Sequence, residues 1–316
     1  MYNNNAVKKT IILFGLLLIS VAGFTQSMAF NDMQVGGPVK NCGELSVANY
    51  ELPDGINVAG AMDDMPYALV AGGSKGIGYG IAEALAKRGY NLILVARHMD
   101  TLLAAKSRLE AIYHVHVEVL DKDLERDETA TEIAQWCREK NIKLKVLCNV
   151  AGLGGSKDYP SLPLDTLRYM VRLNVESCMA MSYTLLPLLE QNAPAYILNV
   201  ASMAGLAPIP AKNMYSATKA AIVFFSYSLN YQLKKKHISV SCLCPGPVFT
   251  KPEIVADTKK KLGAIGMKMA LTPHKVGEVA VRKTLKKRRL IVPGTIAKIM
   301  SGILRILPRG IAAGLY

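Results

Sequence analysis

Tyr215 and Lys219 stand four residues apart in Met214-Tyr215-Ser216-Ala217-Thr218-Lys219, with Ser202 thirteen residues upstream. On a helix, positions i and i+4 share a face, so the phenol and the ammonium can act as a pair. A free tyrosine titrates near about 10. A fixed positive charge a few ångströms away favours the phenolate and moves the group towards proton transfer at neutral pH. Spacing alone does not single this pair out, because Tyr231 and Lys235 repeat it. Tyr231 heads Tyr-Gln-Leu-Lys-Lys-Lys, where cations suit a helix C-terminus, and reads as a decoy. For Tyr215 the plain alternative is a half-buried helix tyrosine.

Around these residues, short apolar runs alternate with amphipathic helices, the pattern of βαβ units around a parallel sheet. Strands are expected at Tyr67 to Ala71, Asn91 to Val95, His116 to Leu120, Lys145 to Asn149, Ala195 to Val200 and Ser239 to Cys244. A seventh is expected at Arg289 to Val292, and the longest helices at Leu164 to Leu189 and Tyr215 to Lys235. The fold class is α/β, a Rossmann-type doubly wound parallel sheet of about seven strands with helices on both faces.

The turn after the first strand reads Gly72-Gly73-Ser74-Lys75-Gly76-Ile77-Gly78. Glycines there permit a tight turn and close approach of backbone to a pyrophosphate, which the following helix N-terminus stabilises. After the second strand comes Ala96-Arg97-His98, with no acid to meet a ribose 2′-hydroxyl. An arginine accepts a 2′-phosphate through charge-assisted hydrogen bonds, and Lys75 adds a second cation. NADP(H) is therefore expected over NAD(H), against the alternative of a solvent-facing Arg97.

The 316 residues carry a net charge of +14 and are 51% hydrophobic, enough for one main domain with extensions. From Arg282 to Arg309 there are nine Lys or Arg and no acid. Such a surface suits anionic lipid or a phosphorylated ligand, whereas the aromatic interleaving and zinc spacings of nucleic-acid modules are missing. Cysteines 42, 137, 148, 178, 242 and 244 form neither a disulfide framework nor a metal site. Cys242 and Cys244 point the same way on a strand and read as small core residues.

Taken together, the motifs resemble those of the short-chain dehydrogenase/reductase family, over about residues 65 to 250. The resemblance rests on Ala71-Gly72-Gly73-Ser74-Lys75-Gly76-Ile77-Gly78, Asp123-Leu124, Asn149-Val150-Ala151-Gly152, Leu173-Asn174-Val175, Asn199-Val200-Ala201-Ser202, the Tyr215/Lys219 pair and Pro245-Gly246-Pro247-Val248-Phe249-Thr250. It implies that Tyr215 exchanges the proton with a carbonyl oxygen and Ser202 holds that oxygen. It also implies that Lys219 holds the nicotinamide ribose and depresses the tyrosine pKa, while Asn174 bends its helix and holds a relay water. For the cofactor it implies Gly72, Ser74, Lys75, Gly76, Ile77, Gly78, Arg97, Asp123, Asn149, Ala151, Gly152, Tyr215, Lys219, Pro245, Gly246, Val248 and Thr250. Ala71 and Val150 depart from the usual threonine and asparagine, with loss of one hydrogen-bonded brace expected between the first and fourth strand ends. Homo-oligomers through the two long helices are a further expectation of the resemblance.

The expected organisation is a signal peptide or membrane anchor over 1–30, a linker over 31–64, the catalytic domain over 65–294 and an amphipathic tail over 295–316. Lys8 and Lys9, the apolar run from Ile11 to Phe24 and Ser27-Met28-Ala29 carry the first of these. Either form places the protein at a membrane or exports it, and the side it faces is left open. An export signal conflicts with NADPH and unpaired thiols, which suit a reducing compartment. The tail suits a membrane interface, a groove of its own domain or a dimer surface. Residues 247–271 fall where the family places a mobile substrate lid, with Lys259-Lys260-Lys261 read as a solvated face or a ligand contact. The expected activity is NADP(H)-dependent interconversion of a ketone and a secondary alcohol, on a hydrophobic or acyl substrate such as a 3-oxoacyl or steroid-like one. The rivals are a membrane-attached cofactor-binding protein without turnover and an NAD-dependent sugar or polyol dehydrogenase.

Overall fold

The structure is a computed structural model that describes residues 65–154, 159–250 and 270–314. The segments read as leader and linker and most of the expected lid lie outside the described residues. Seven parallel strands form one sheet in the order β3-β2-β1-β4-β5-β6-β7. They are β1 Tyr67–Ala71, β2 Asn91–Ala96, β3 Val117–Asp121, β4 Leu144–Asn149, β5 Ala195–Val200, β6 Ile238–Leu243 and β7 Leu290–Ile291. All seven expected strands are present, with ends moved by a residue or two, and Cys244 falls just past β6.

A parallel sheet covered on both faces needs strands that are apolar on both sides. Alternate residues of β1 and β2 accordingly enter two separate cores. Ala68, Val70, Leu92 and Leu94 face one, with Ile81, Leu85 and Val276. Leu69, Ala71, Ile93 and Val95 face the other, with Ile133, Met181 and Leu189. Strand order reverses between β1 and β4, and their carboxyl ends open the crevice in which ligands of such sheets bind.

The helices in chain order are α1 Gly76–Ala86, α2 Met99–Tyr113, α3 Thr129–Glu139, α4 Leu164–Val171, α5 Ser177–Thr184, α6 Leu186–Gln191, α7 Asn213–Leu233, α8 Pro273–Leu285, α9 Thr295–Ile306 and α10 Arg309–Gly314. The helix expected from Leu164 to Leu189 is broken in two places. A π turn spans Arg172–Glu176 between α4 and α5, and Pro187 in the first turn of α6 lacks the N–H that would continue α5. The tail settles on its own domain: Ala297 joins a core with Ile222 and Cys244, while Leu304 and Ala312 pack against Ala207.

On the first face α1 and α8 touch through glycines. A Cβ on Gly277 would stand 2.0 Å from the Gly80 carbonyl oxygen. At the rim of this contact Arg88 reaches both carboxylate oxygens of Glu278, at 3.0 and 2.5 Å. Gly277→Ala is expected to force the helices apart and cost about 1 to 3 kcal/mol by overpacking. A urea melt of the variant beside the wild type checks this.

Candidate active site

The phosphate side is built first. Gly72, at φ 89°, lies where a Cβ would meet the Ala151 nitrogen at 2.7 Å, so only glycine lets the turn close over the β4 end. A Cβ on Gly78 would stand 1.9 Å from the Gly72 carbonyl oxygen, which requires a bare backbone where α1 begins. The turn is pinned to β2 by the Gly72 N–H donating to the Val95 carbonyl at 2.8 Å. Gly76, Ile77 and Gly78 form the first turn of α1, whose unpaired N–H groups and dipole favour an anion. Ser74 is half-buried in the turn, Lys75 and Arg97 are exposed beside it, and Thr250 closes the far side, 3.3 Å from where a Gly76 Cβ would sit. This donor set fits a dinucleotide's phosphates.

The ends of β1 and β4, where loss of a brace is expected with Ala71 and Val150, are joined through the backbone. The Ala71 carbonyl accepts from the N–H groups of both Val150 and Ala151, at 2.9 and 2.8 Å. The side chain of Asn149, expected at the cofactor, is buried at the end of β4 and turned towards β5 and α5. Its Nδ2 donates to Asn199 Oδ1 at 2.9 Å and to Ser182 Oγ at 3.1 Å, and Asn199 in turn donates to Ser226 at 3.0 Å. The chain is satisfied except at Asn149 Oδ1, a buried acceptor without a hydrogen-bond partner among the described residues. Asp123 is half-buried after β3, and its Oδ1 accepts from the Glu125 N–H at 3.1 Å.

The reacting groups converge from β5, the π turn and α7. Ser202 follows β5, and its Oγ accepts from the Ala204 N–H at 3.1 Å, which fixes the turn. The same turn is tied to the Pro245-Gly246 segment by the Met203 N–H donating to the Pro245 carbonyl at 3.0 Å. Val248, buried in the same segment, pairs with Leu271. Lys219 is 4% exposed, its Nζ donating to the Val200 carbonyl at 2.8 Å and lying 5.9 Å from the centre of the Tyr215 ring. Gly152 leaves the space for this ammonium, since a Cβ there would lie 3.2 Å from Nζ and 3.0 Å from Asn174 Oδ1.

Asn174, 2% exposed within the π turn, clamps the loop after β4. Its Oδ1 accepts from the Leu153 N–H at 2.7 Å, and its Nδ2 donates to the Leu153 carbonyl at 3.0 Å and to Thr218 Oγ1 at 3.1 Å. Thr218 Oγ1 donates to the Tyr215 carbonyl at 2.8 Å, so the clamp reaches the turn of α7 that carries the phenol. The local bend expected at Asn174 is present as the π turn.

Burial pushes the Tyr215 phenol up, and an interaction with the Ser202 hydroxyl draws it part of the way back. Burial also pushes the Lys219 ammonium down, with the thiols of Cys178, Cys242 and Cys244 as the groups opposing it. For both groups the loss of water is the largest effect. Tyr231, the second candidate, is 65% exposed and its hydroxyl accepts from Arg289 at 2.7 Å at the far end of α7, outside the site.

Two contacts are absent from the sequence reading. Thr218 lies inside the Tyr215–Lys219 spacing, where a helical hydroxyl bonding back one turn was the available signal. Tyr169 of α4 meets Arg97 across separate elements, a contact for which the sequence holds no local signal.

A doubly wound sheet with a glycine turn at its reversal point and Ser202, Tyr215 and Lys219 at the adjoining strand ends defines a class of nucleotide-dependent oxidoreductase. Residues 66–261 match the family model of short chain dehydrogenase, and the chain belongs to the short-chain dehydrogenase family. It is 28% identical over 225 residues to the very-long-chain 3-oxoacyl-CoA reductase of Rattus norvegicus, covering 66% of this chain and 71% of that protein. It is 33% identical over 191 residues to the enzyme of the same name from Bos taurus, covering 58% of this chain and 60% of that protein. The structure is also similar to a short-chain dehydrogenase from Sphingobium yanoikuyae in complex with NADPH, at 26% identity and a TM-score of 0.65, covering 80% of this chain and 100% of that one.

Asn174→Ala removes three hydrogen bonds, one buried and two partly buried, and leaves the Leu153 peptide without this partner. It is expected to cost about 1 to 3 kcal/mol, and Asn174→Asp, which keeps the acceptor, to cost less. Denaturant midpoints of the two variants check the order.

Proposed function

We propose that the protein is an NADP(H)-dependent oxidoreductase interconverting a ketone and a secondary alcohol on a hydrophobic or 3-oxoacyl substrate. The observation that carries this reading is that Tyr215 and the buried Lys219 share one face of α7, with Nζ 5.9 Å from the ring and fixed on the Val200 carbonyl two residues before Ser202. NADP(H) bound along the glycine turn would supply or accept the hydride. In the reductive direction Tyr215 Oη gives its proton to the carbonyl oxygen as that oxygen gains negative charge. Ser202 Oγ donates a hydrogen bond to the same oxygen, one that strengthens as charge develops. Lys219 Nζ, fixed by the Val200 carbonyl, stands ready to bind the ribose hydroxyls and stabilise a phenolate. Asn174 and Thr218 hold the loop after β4 and the first turns of α7 in register for these roles.

Exposed Lys75 and Arg97 and the lack of an acid after β2 support NADP(H) over NAD(H). The acyl substrate class is supported by the likeness to the two 3-oxoacyl-CoA reductases. A membrane surface is the proposed partner of the tail. Ile296, Ile299, Ile306 and Ile311 stand exposed on α9 and α10 among Lys298, Arg305 and Arg309, apolar contact beside cations that suit anionic lipid. Among the described residues no helix is long and apolar enough to cross a membrane, so attachment would be at the surface or through residues 1–30. Self-association is proposed through α5 and α7, where Tyr183 and Phe224 are exposed.

NADPH oxidation against ketones, 3-oxoacyl thioesters and steroids tests the activity. Tyr215→Phe is expected to lower kcat by about a hundredfold or more, as loss of a general acid does. Cofactor binding without turnover in both proteins would favour the non-catalytic rival. Ser202→Ala leaves burial of Tyr215 unopposed, so the phenol titrates higher. Alcohol oxidation, which needs the phenolate, is then expected to keep rising to a higher pH than in the wild type, as a pH–rate profile reads. Flotation with vesicles containing an anionic lipid checks the tail, with Ile299→Glu/Ile306→Glu expected to stay in the soluble fraction.

A further inference from the structure

Arg97 extends from the end of β2 to a residue on α4. Its Nη1 donates to the hydroxyl of Tyr169 at 2.6 Å, and its Cζ lies 5.8 Å from the centre of the Tyr169 ring. Among the described residues no carboxylate pairs with this guanidinium. The acids near Tyr169 are engaged elsewhere: Glu125 with Arg172 at 3.9 Å, and Asp123 with the Glu125 backbone N–H at 3.1 Å. Arg97 is thus held by a neutral group on one nitrogen and over one face.

The chemistry of that partner decides what the arginine can do. A carboxylate would hold Arg97 equally well but would neutralise it, and an incoming phosphate would have to displace it. A phenol restrains the direction of the guanidinium and leaves its charge and remaining donors available for an anion. Burial pushes the Tyr169 phenol up; the Arg97 charge draws it down and Asp123 and Glu125 add to the rise, so that on balance it stays in the neutral form at physiological pH. Arg97 carries three rotatable bonds beyond its Cβ, so a fixed direction removes part of the ordering cost that a phosphate would otherwise impose.

We propose that Tyr169 is a positioning residue for cofactor selection, orienting the Arg97 guanidinium for the 2′-phosphate of NADP(H) without neutralising it. This rests on the reading of Arg97 as the group that meets the 2′-phosphate. It adds a residue from α4 to a recognition corner otherwise assembled from the ends of β1 and β2.

The test is direct binding, which needs no substrate. Dissociation constants for NADPH and NADH are measured by fluorescence titration of the full-length chain and of Tyr169→Phe, Arg97→Ala and the double variant. Tyr169→Phe is expected to raise the Kd for NADPH about three- to tenfold, the scale of one hydrogen bond, and to leave that for NADH within about twofold. In the Arg97→Ala background the same change is expected to have no further effect on the NADPH/NADH ratio, as for two residues acting through one contact. NADH affinity doubles as the check that each variant is folded.

If Arg97→Ala lowers the NADPH preference while Tyr169→Phe leaves it unchanged, the inference is overturned and the reading of Arg97 stands. If Arg97→Ala leaves the preference unchanged, that reading fails and takes the inference with it. Equal weakening of both cofactors by Tyr169→Phe would make Tyr169 a general support of the adenine side, and also overturns the inference. Tighter NADPH binding in Tyr169→Phe would mean that the cofactor has to break the pair, which overturns it too.

Discussion

The arrangement of this protein turns on one buried ammonium. Lys219 is almost wholly enclosed, and its Nζ donates to the carbonyl of Val200 at the end of β5. A cation removed from water is costly unless its surroundings supply hydrogen bonds and polarisable neighbours. Here those neighbours are the Val200 carbonyl and the sulfurs of Cys178, Cys242 and Cys244. They come from β5, α5 and β6 with the residue after it, so the position of the lysine ties these elements to α7 at once. Gly152 has no side chain because the space its Cβ would take is occupied by Nζ and by Asn174 Oδ1.

The same economy of space governs the phosphate side. The reversal of strand order between β1 and β4 opens the crevice, and the crevice is usable because the turn after β1 can lie against the end of β4. Gly72 permits that approach, and the paired donors of Val150 and Ala151 on the Ala71 carbonyl hold it. Loss of the usual side-chain brace at Ala71 and Val150 is offset by backbone hydrogen bonds, which do not depend on side-chain identity. Beneath, the chain from Asn149 through Asn199 to Ser226 ties β4, β5 and α7 into one layer. The two ends of the site are therefore joined through the core as well as across the cleft.

Burial shapes the chemistry as well as the packing. The phenol of Tyr215 and the ammonium of Lys219 are each driven towards their neutral forms by desolvation, and Ser202 is the group that draws the phenol back. A positive charge one helical turn away is sufficient reason to expect a depressed phenol on an exposed helix. In a closed site the loss of water acts on both members, against the charged form of each.

The sequence by itself determined the class of fold, the location of the glycine turn and the identity of Ser202, Tyr215 and Lys219. Each of these is written in local order: apolar runs of strand length, glycines between a strand and a helix, and side chains one helical turn apart. It also contained the break at Pro187, which periodicity alone passes over. Only the tertiary structure decided which of the two Tyr-x-x-x-Lys pairs lies at the strand ends. Only there do Asn149 turn inward, Asn174 meet Thr218 and Arg97 meet Tyr169. Those outcomes depend on contacts between segments far apart in the chain, and on desolvation, which no spacing of residues records.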